Sequence, residues 1–364
     1  MSYKIKVYEP YISDNQKKYV LDCLDTNWIS SKGKYLSKFE IEFSNFINIK
    51  NSIAVSNGTT ALHAALLALD IKHGDEVIVP TFTYIASVNS IAYVGATPIF
   101  IDIEEDTWQM NVEEIENKIT NKTKAIMVVH LYGHPVEMSK VLKIAKKYNL
   151  KIIEDCAEAI GSYYENNHVG TFGDISCFSF FGNKTITCGE GGMVCTNDDE
   201  IAKKVRKIKG QGLAEDKEYW HDLIGYNYRM TNIQAAIGLS QLEKINIILQ
   251  KKQNILNTYK KYLNKKYVNT QKLKSNCKNG NWMISILTKN SKDRDLLRNF
   301  LAEKNIETRP FFYPIHTMKM YKSFELFPVS TMISSKGLNL PSSPNLTENQ
   351  ISYICKSINE FYES

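Results

Sequence analysis

No stretch of this sequence approaches ~18 consecutive apolar residues, so no helix able to span a bilayer is expected. The N-terminal run Met1-Ser2-Tyr3-Lys4-Ile5-Lys6-Val7 lacks the apolar segment of a secretory signal, which points to the cytoplasm. Cysteine is sparse and unpatterned. The seven are Cys23, Cys156, Cys177, Cys188, Cys195, Cys277 and Cys355, an odd number with no CxxC pair. Neither a disulfide framework nor a zinc site is suggested, and Cys156 and Cys188 read as small packed residues. Clustered Arg and Lys with interleaved aromatics are missing, which argues against nucleic acid. Runs such as Lys203-Lys204-Val205-Arg206-Lys207-Ile208-Lys209 read as a solvated helix face. The net charge of +6 is a weak pointer to an anionic small substrate. There is no internal repeat and no low-complexity linker.

What is present is an ordinary globular composition, 43% hydrophobic and 23% charged, in a chain of 364 residues. That length suggests a large domain, 1–240, and a smaller one, 241–364. A capped amphipathic helix is predicted at 12–24, with Ser13 or Asp14 as its cap, and it could pack with the smaller domain. A second helix is predicted from Leu36 to Phe46. From Ser52 to Asp198 short apolar strands (53–55, 76–79, 97–101, 125–129, 151–154, 175–180, 192–196) alternate with helical segments (61–69, 86–93, 111–118, 139–148). This alternation predicts a mostly parallel sheet covered on both faces. The last two strands have no helix between them, so part of the sheet should be antiparallel. A long helix from Asn232 to about Lys252 is predicted to bridge to the C-terminal part. There, a strand at 282–287 and helices near 293–304 and 348–362 are expected.

Two segments carry the chemistry. The strand from Ile175 to Phe181 delivers Lys184 into a Gly- and Thr-rich stretch, Gly182-Asn183-Lys184-Thr185-Ile186-Thr187-Cys188-Gly189-Glu190-Gly191-Gly192. Upstream, Lys151-Ile152-Ile153-Glu154-Asp155 is a short strand ending in a carboxylate, where open α/β sheets place their ligands. A lysine that can form an imine and an acid that can keep a pyridinium protonated are what pyridoxal phosphate (PLP) chemistry needs. Lys184 would hold the aldehyde, then move a proton as general base and acid once a substrate amine displaces it. Asp155 would keep the ring nitrogen charged. Ser56-Asn57-Gly58-Thr59-Thr60-Ala61-Leu62-His63 follows a strand and opens a helix, so its backbone amides can take a phosphate. It is not GxGxxG, which argues against NAD. Tyr84, at another strand-to-helix junction, could stack on a flat ring, with Phe82 as a competitor.

In this order the segments resemble the nucleotide-sugar aminotransferases of the aspartate-aminotransferase (type I) PLP fold, over essentially the whole chain. The matches run through Phe39-Glu40, Asn57–Leu62, Gly74–Tyr84, Gly95–Pro98, Glu154–Gly161 and Gly225–Met230. Phe178–Thr187 with Gly189–Gly192, Lys209–Leu213 and Glu307–Pro310 narrow the resemblance to the GDP-perosamine synthases (GDP-4-keto-6-deoxy-mannose 4-aminotransferases). The implied fold class is α/β, an aspartate-aminotransferase-like large domain with a mixed, mostly parallel sheet, plus a smaller α+β C-terminal domain. By resemblance, Lys184 is the Schiff-base lysine and Asp155 the pyridinium partner. Glu158 bonds the ring hydroxyl, where relatives often carry Gln. Gly58, Thr59 and Ser179 hold the phosphate, and Asn57, Thr60 and Tyr84 complete the cofactor set. Asn227 reaches the phosphate of a neighbouring subunit, which implies a homodimer with shared sites and leaves a tetramer open. Trp28, Ser30, Ser31, Tyr313 and His316 resemble positions lining the sugar-nucleotide cleft, although His316 could equally be a structural histidine. His130 and His134 read as structural, and no metal is implied. Asn27 stands where relatives often have glycine, and Cys188 where threonine is expected.

The resemblance implies transfer of the amino group of L-glutamate to C4 of a nucleotide-linked 4-keto-6-deoxy sugar. GDP-4-keto-6-deoxy-D-mannose would give GDP-perosamine and 2-oxoglutarate, for O-antigen or surface polysaccharide synthesis. The alternatives are an aminotransferase for a UDP- or dTDP-linked or 3-keto sugar, a PLP-dependent sugar dehydratase, and a non-catalytic relative. The dehydratases carry His where this chain has Lys184, and an intact Lys184 with Asp155 argues against the last.

Overall fold

The computed structural model describes residues 3–363. Helices α1 (Asp14–Asp25) and α2 (Lys34–Ile47) precede β1 (Asn51–Val55), α3 (Gly58–Ala68), β2 (Glu76–Pro80), α4 (Ile85–Tyr93) and β3 (Thr97–Ile101). Next come the short α5 (Ile115–Lys118), β4 (Thr123–Val129), α6 (Met138–Tyr148) and β5 (Lys151–Asp155). A hairpin, β6 (Tyr163–Tyr164) and β7 (Asn167–His168), leads to β8 (Ile175–Ser179), β9 (Gly192–Thr196) and α7 (Asp199–Lys209). The seven-stranded sheet has the order β1-β9-β8-β5-β4-β2-β3. Its pairs are parallel from β3 through β8, while β9 runs antiparallel to both β8 and β1. The mixed sheet expected from the missing helix between the last two strands is what forms.

Side-chain alternation sorts the strands into two cores. Ala54, Ile78, Ile126, Val128, Ile152, Phe178 and Met193 pack on one face with Phe39 and Phe43 of α2 and Val141 of α6. Ile53, Val55, Val77, Val79, Met127, Ile153, Cys177 and Val194 pack on the other with Leu62 and Leu66 of α3, Val88 of α4 and Val205 of α7. The basic run at 203–209 therefore lies on a helix whose Val205 and Ile208 are buried.

The helix expected at 232–252 is two helices, α8 (Asn232–Leu242) and α9 (Ile245–Tyr262). No glycine or proline marks the break. It falls where the Glu243 carboxylate accepts from Asn15 Nδ2 at 2.9 Å and Tyr19 Oη at 2.7 Å of α1. Helix α1 lies against α8, and the Asn232 side chain donates to the Trp28 carbonyl at 2.6 Å. Beyond α9, the strands β10 (Asn269–Thr270), β11 (Cys277–Lys278) and β12 (Ile284–Leu287) precede α10 (Ser291–Glu303) and β13 (Arg309–Pro310). The chain continues through α11 (Pro328–Lys336), β14 (Gly337–Leu340) and α12 (Glu348–Glu363). A four-stranded sheet, β10-β12-β14-β13, backs a separate core of Leu297, Leu301, Ile354 and Ile358.

Helix α9 serves both units. Ile248 belongs to the first core, whereas Ile255 and Tyr259 belong to the C-terminal one. Lys252 shares their buried face and is only 1% exposed. Its Nζ donates to the carbonyls of Trp282 and Ser342, each at 2.7 Å. Burial without a carboxylate partner pulls its pKa down to about 7. Between that value and the unfolded 10.5, the unfolded chain binds a proton that the folded chain does not, so stability rises with pH. Denaturant unfolding of wild type and Lys252→Met between pH 7 and 10 should show wild type gaining on the variant by up to about 1.4 kcal/mol per pH unit. Parallel pH curves for the two proteins would show that the lysine does not titrate this way.

Candidate active site

Strand register assembles the site. Val129 and Asp155 end β4 and β5 and pair in register with each other, Asp155 also with Cys177 of β8, which runs on two residues further to Ser179. Because β1 runs antiparallel to β9, its own carboxyl end emerges on this same edge, bringing the turn at Asn57-Gly58 beside Ser179. The result is a cleft of about 420 Å³ lined by Asn57, Gly58, Thr59, Tyr84, Asp155, Glu158, Ser179 and Lys184. Trp282, Arg309, Phe312 and Asn339 close it from the C-terminal unit.

The two carboxylates at the end of β5 point opposite ways. Glu154 is wholly buried and accepts from the amides of Gly170, Phe172 and Gly173 at 2.7–2.8 Å, and it lies 3.0 Å from His130 Nε2. It is a structural group, and His130 is bound up with it. Asp155 faces the cleft. Ser87 Oγ donates to its Oδ2 at 2.8 Å and the Ala157 amide to its Oδ1 at 3.1 Å. Burial pushes the Asp155 carboxyl up, while those two donors and the charge of Lys184 oppose the shift. A cation beside it would favour its ionised form further, which is the fit a pyridinium requires.

Lys184 lies on the turn after β8, its amide donating to the Phe181 carbonyl at 2.9 Å. Its side chain is 13% exposed. The Nζ is 3.4 Å from Glu158 Oε1 and 4.0 Å from the centre of the Trp282 ring. Burial raises the Glu158 pKa, opposed first by Lys184 and then by the Tyr132 amide, which donates to Oε2 at 2.9 Å. Tyr132 holds that amide in place from the left-handed region, at φ +53°. Its ring is nearly parallel to those of Trp282 and Phe312.

At the phosphate-competent turn, Asn57 caps α3, its Oδ1 accepting from the Thr60 amide at 2.9 Å. Thr60 is engaged in that cap and does not line the cleft. A Cβ on Gly58 would sit 2.8 Å from Ser179 Cβ, so only glycine lets the helix start approach the strand end this closely. Free amides at a helix N-terminus beside a serine hydroxyl suit a phosphate. Tyr84 lines the cleft mouth, 56% exposed, whereas its competitor Phe82 is buried in the core.

The other expected residues fall elsewhere in this chain. His316 is buried, its Nδ1 2.7 Å from Thr81 Oγ1 and its ring against Phe327, away from the cleft. Tyr313 is exposed in an adjoining groove with Tyr84 and Arg309. Trp28 and Ser30 are exposed and Ser31 half-buried, and none lines the cleft. Asn227 is exposed and accepts from Arg229 at 3.0 Å. Asn27 has φ +60°, a left-handed conformation that asparagine tolerates, which accounts for its standing where glycine is usual. Cys188 is buried against Gly238 and Gly191. Sequence reading missed Ser87, although it closes the same run as Tyr84. It also missed Trp282, which no local pattern connects to a lysine 98 residues earlier.

With this geometry in place, comparison with known proteins gives the family. The chain belongs to the DegT/DnrJ/EryC1/StrS aminotransferase family, whose pattern matches residues 10–359. It is 57% identical over 359 residues to a GDP-perosamine synthase of Escherichia coli O157:H7, covering 98% of each chain. It is 47% identical over 363 residues to a GDP-perosamine synthase of Vibrio cholerae, covering 98% of this chain and 99% of that one. Among solved structures, the PLP form of Spr1654 from Streptococcus pneumoniae superposes with a TM-score of 0.93 at 25% identity, over 100% and 99% of the two chains. No described helix is long and apolar enough to cross a membrane.

Two substitutions probe the cleft. Gly58→Ala forces the new methyl against Ser179 and should weaken cofactor binding about tenfold or more, read by PLP titration of the cofactor-free protein. Ser87→Ala removes a donor to the Asp155 carboxylate and raises its pKa. If activity needs that carboxylate ionised, the acid limb of the pH–rate profile moves to higher pH, and an unmoved limb would separate Ser87 from the titrating group.

Proposed function

We propose that this aminotransferase uses PLP to transfer the amino group of L-glutamate to C4 of a nucleotide-linked 4-keto-6-deoxy sugar. GDP-4-keto-6-deoxy-D-mannose is the substrate we assign, giving GDP-perosamine and 2-oxoglutarate for surface polysaccharide synthesis in the cytoplasm. The observation that carries this reading is the convergence of Lys184, Asp155, Glu158 and the Gly58–Ser179 turn in one cleft. The substrate assignment is supported by the names of the two bacterial relatives and by the motifs around Lys184.

Bound PLP would supply a carbonyl that condenses with amines and a ring that accepts the electron pair left by a departing proton. Each protein group then has a task. Asp155 holds a proton on the ring nitrogen by its charge. Glu158, fixed by the Tyr132 amide, would accept from the ring hydroxyl. Asn57, Gly58, Thr59 and Ser179 anchor the phosphate. Lys184 would hold the cofactor carbonyl, and its Nζ, once free, would serve as the base and acid that moves the substrate proton. Trp282 covers that amine and limits the approach of water. The exposed Asn227, Trp28 and Tyr313 are left for a second copy of the chain and for the sugar nucleotide, as the family resemblance implies.

Lys184→Ala should lower turnover at least about a thousandfold and abolish borohydride labelling at position 184 in cofactor-loaded protein. Labelling on another lysine, or turnover within tenfold of wild type, would end the assignment. The sugar is read by mass after incubation with glutamate and GDP-, UDP- or dTDP-4-keto-6-deoxy sugars. An amino sugar formed from the GDP substrate is expected, whereas turnover of a UDP or dTDP sugar alone would keep the enzyme class and overturn the sugar.

A further inference from the structure

The turn that bears Lys184 is held from outside the large sheet. Tyr8 Oη donates to the Lys184 carbonyl and Trp282 Nε1 to the Asn183 carbonyl, each at 2.7 Å. These two aromatic side chains arrive from opposite ends of the sequence, and both rest on one buried amine. Lys252 Nζ donates to the Trp282 carbonyl and to the Ser342 carbonyl, each at 2.7 Å, and lies 4.8 Å from the centre of the Tyr8 ring. Ser342 closes the circuit, since its amide donates at 2.8 Å to the carbonyl of Val7, the residue before Tyr8. Burial pushes the Tyr8 phenol up, so it remains a donor throughout the working pH range.

We propose that Lys252 is a positioning residue for Lys184, acting through Trp282 and Tyr8 to fix the backbone from which the reactive amine projects. The assignment of the reactive amine rests on the function proposed above. The chemistry of the group suits the task. An amine on a four-carbon stem reaches the junction of both units from the buried face of α9, and its N–H groups point to two carbonyls at once. The neutral amine has two donors for the two carbonyls. The ammonium has a third, which the Tyr8 ring can face. A carboxylate could not donate, and an apolar side chain would leave two buried carbonyls unpaired. The lysine thus ties α9, the residues just before β12, the segment after β14 and the extended N-terminal segment to a turn 68 residues before it. A loosened turn would displace Nζ from the Glu158 carboxylate and the Trp282 face, and small displacements of a reacting group are costly to rate.

The test uses Lys252→Met and Tyr8→Phe in the full-length protein, each checked for cooperative melting. In cofactor-free protein, the acylation rate of Lys184 is measured by peptide mass, with Lys209 as an internal control. Lys184 labelling should rise at least about threefold in both variants while Lys209 is unchanged. In cofactor-loaded protein, kcat should fall about tenfold or more in Lys252→Met with KM values nearly unchanged, and adding Tyr8→Phe should cost little more. Because labelling is read without PLP or sugar, it reports on the turn whether or not the assigned reaction holds. A Lys252→Met protein that folds, even with a lowered melting temperature, and keeps wild-type kcat and Lys184 labelling would reduce Lys252 to a packing role and overturn the proposal. Should that variant fail to fold, Tyr8→Phe decides. Unchanged Lys184 labelling there overturns the brace, and increased labelling supports it.

Discussion

A carboxylate at the buried end of β5 is the constraint around which the cleft is arranged. Taking a charge out of water is unfavourable unless donors and an opposite charge replace the solvent. Asp155 has one hydroxyl donor, one amide donor and a nearby ammonium, and still its pKa is raised by burial. The remaining compensation is left to whatever cation enters the cleft. A site that satisfied the carboxylate completely would have little reason to bind a charged ring. The adjacent Glu154 makes the contrast, since three amides and His130 saturate it.

The large sheet was legible because its strands are short apolar runs separated by amphipathic helices. The antiparallel β8–β9 pair announced itself by the missing helix between them. The break between α8 and α9 was not legible. Glu243 is a good helix former, and its position is set by Asn15 and Tyr19, which lie more than two hundred residues earlier. Lys252 defeats pattern reading in a different way. It occupies a core position in a run where Ile248, Ile255 and Tyr259 obey helical spacing, and a lysine there reads as a surface residue until its two carbonyl partners are seen.

Within the site, the residues next to Gly-rich turns and strand ends were recoverable from local sequence, since backbone geometry at such places dictates residue type. Lys184, Asp155 and Gly58 are of this kind, whereas Ser179 entered only through the family resemblance. Thr60 shared the motif but is occupied by the Asn57 cap. His316 was placed at the cleft only by resemblance, with a structural role left equally open, and the fold sets it against Thr81. Trp282 and Tyr8 escaped because their roles exist only in three dimensions. Trp282 is near Lys184 through the packing of the C-terminal unit, and Tyr8 through a short extended segment with little pattern of its own.

The alternation at the end of β5 also bears on how such chains can vary. Glu154 and Asp155 differ by one methylene and occupy opposite faces of one strand. Gain or loss of a single codon inside that strand would exchange them, turning the saturated carboxylate toward the cleft and the ligand-facing one toward the loop at 170–173. A change of length is therefore far less costly in the connections than inside this strand, where residue number fixes which carboxylate faces the cleft.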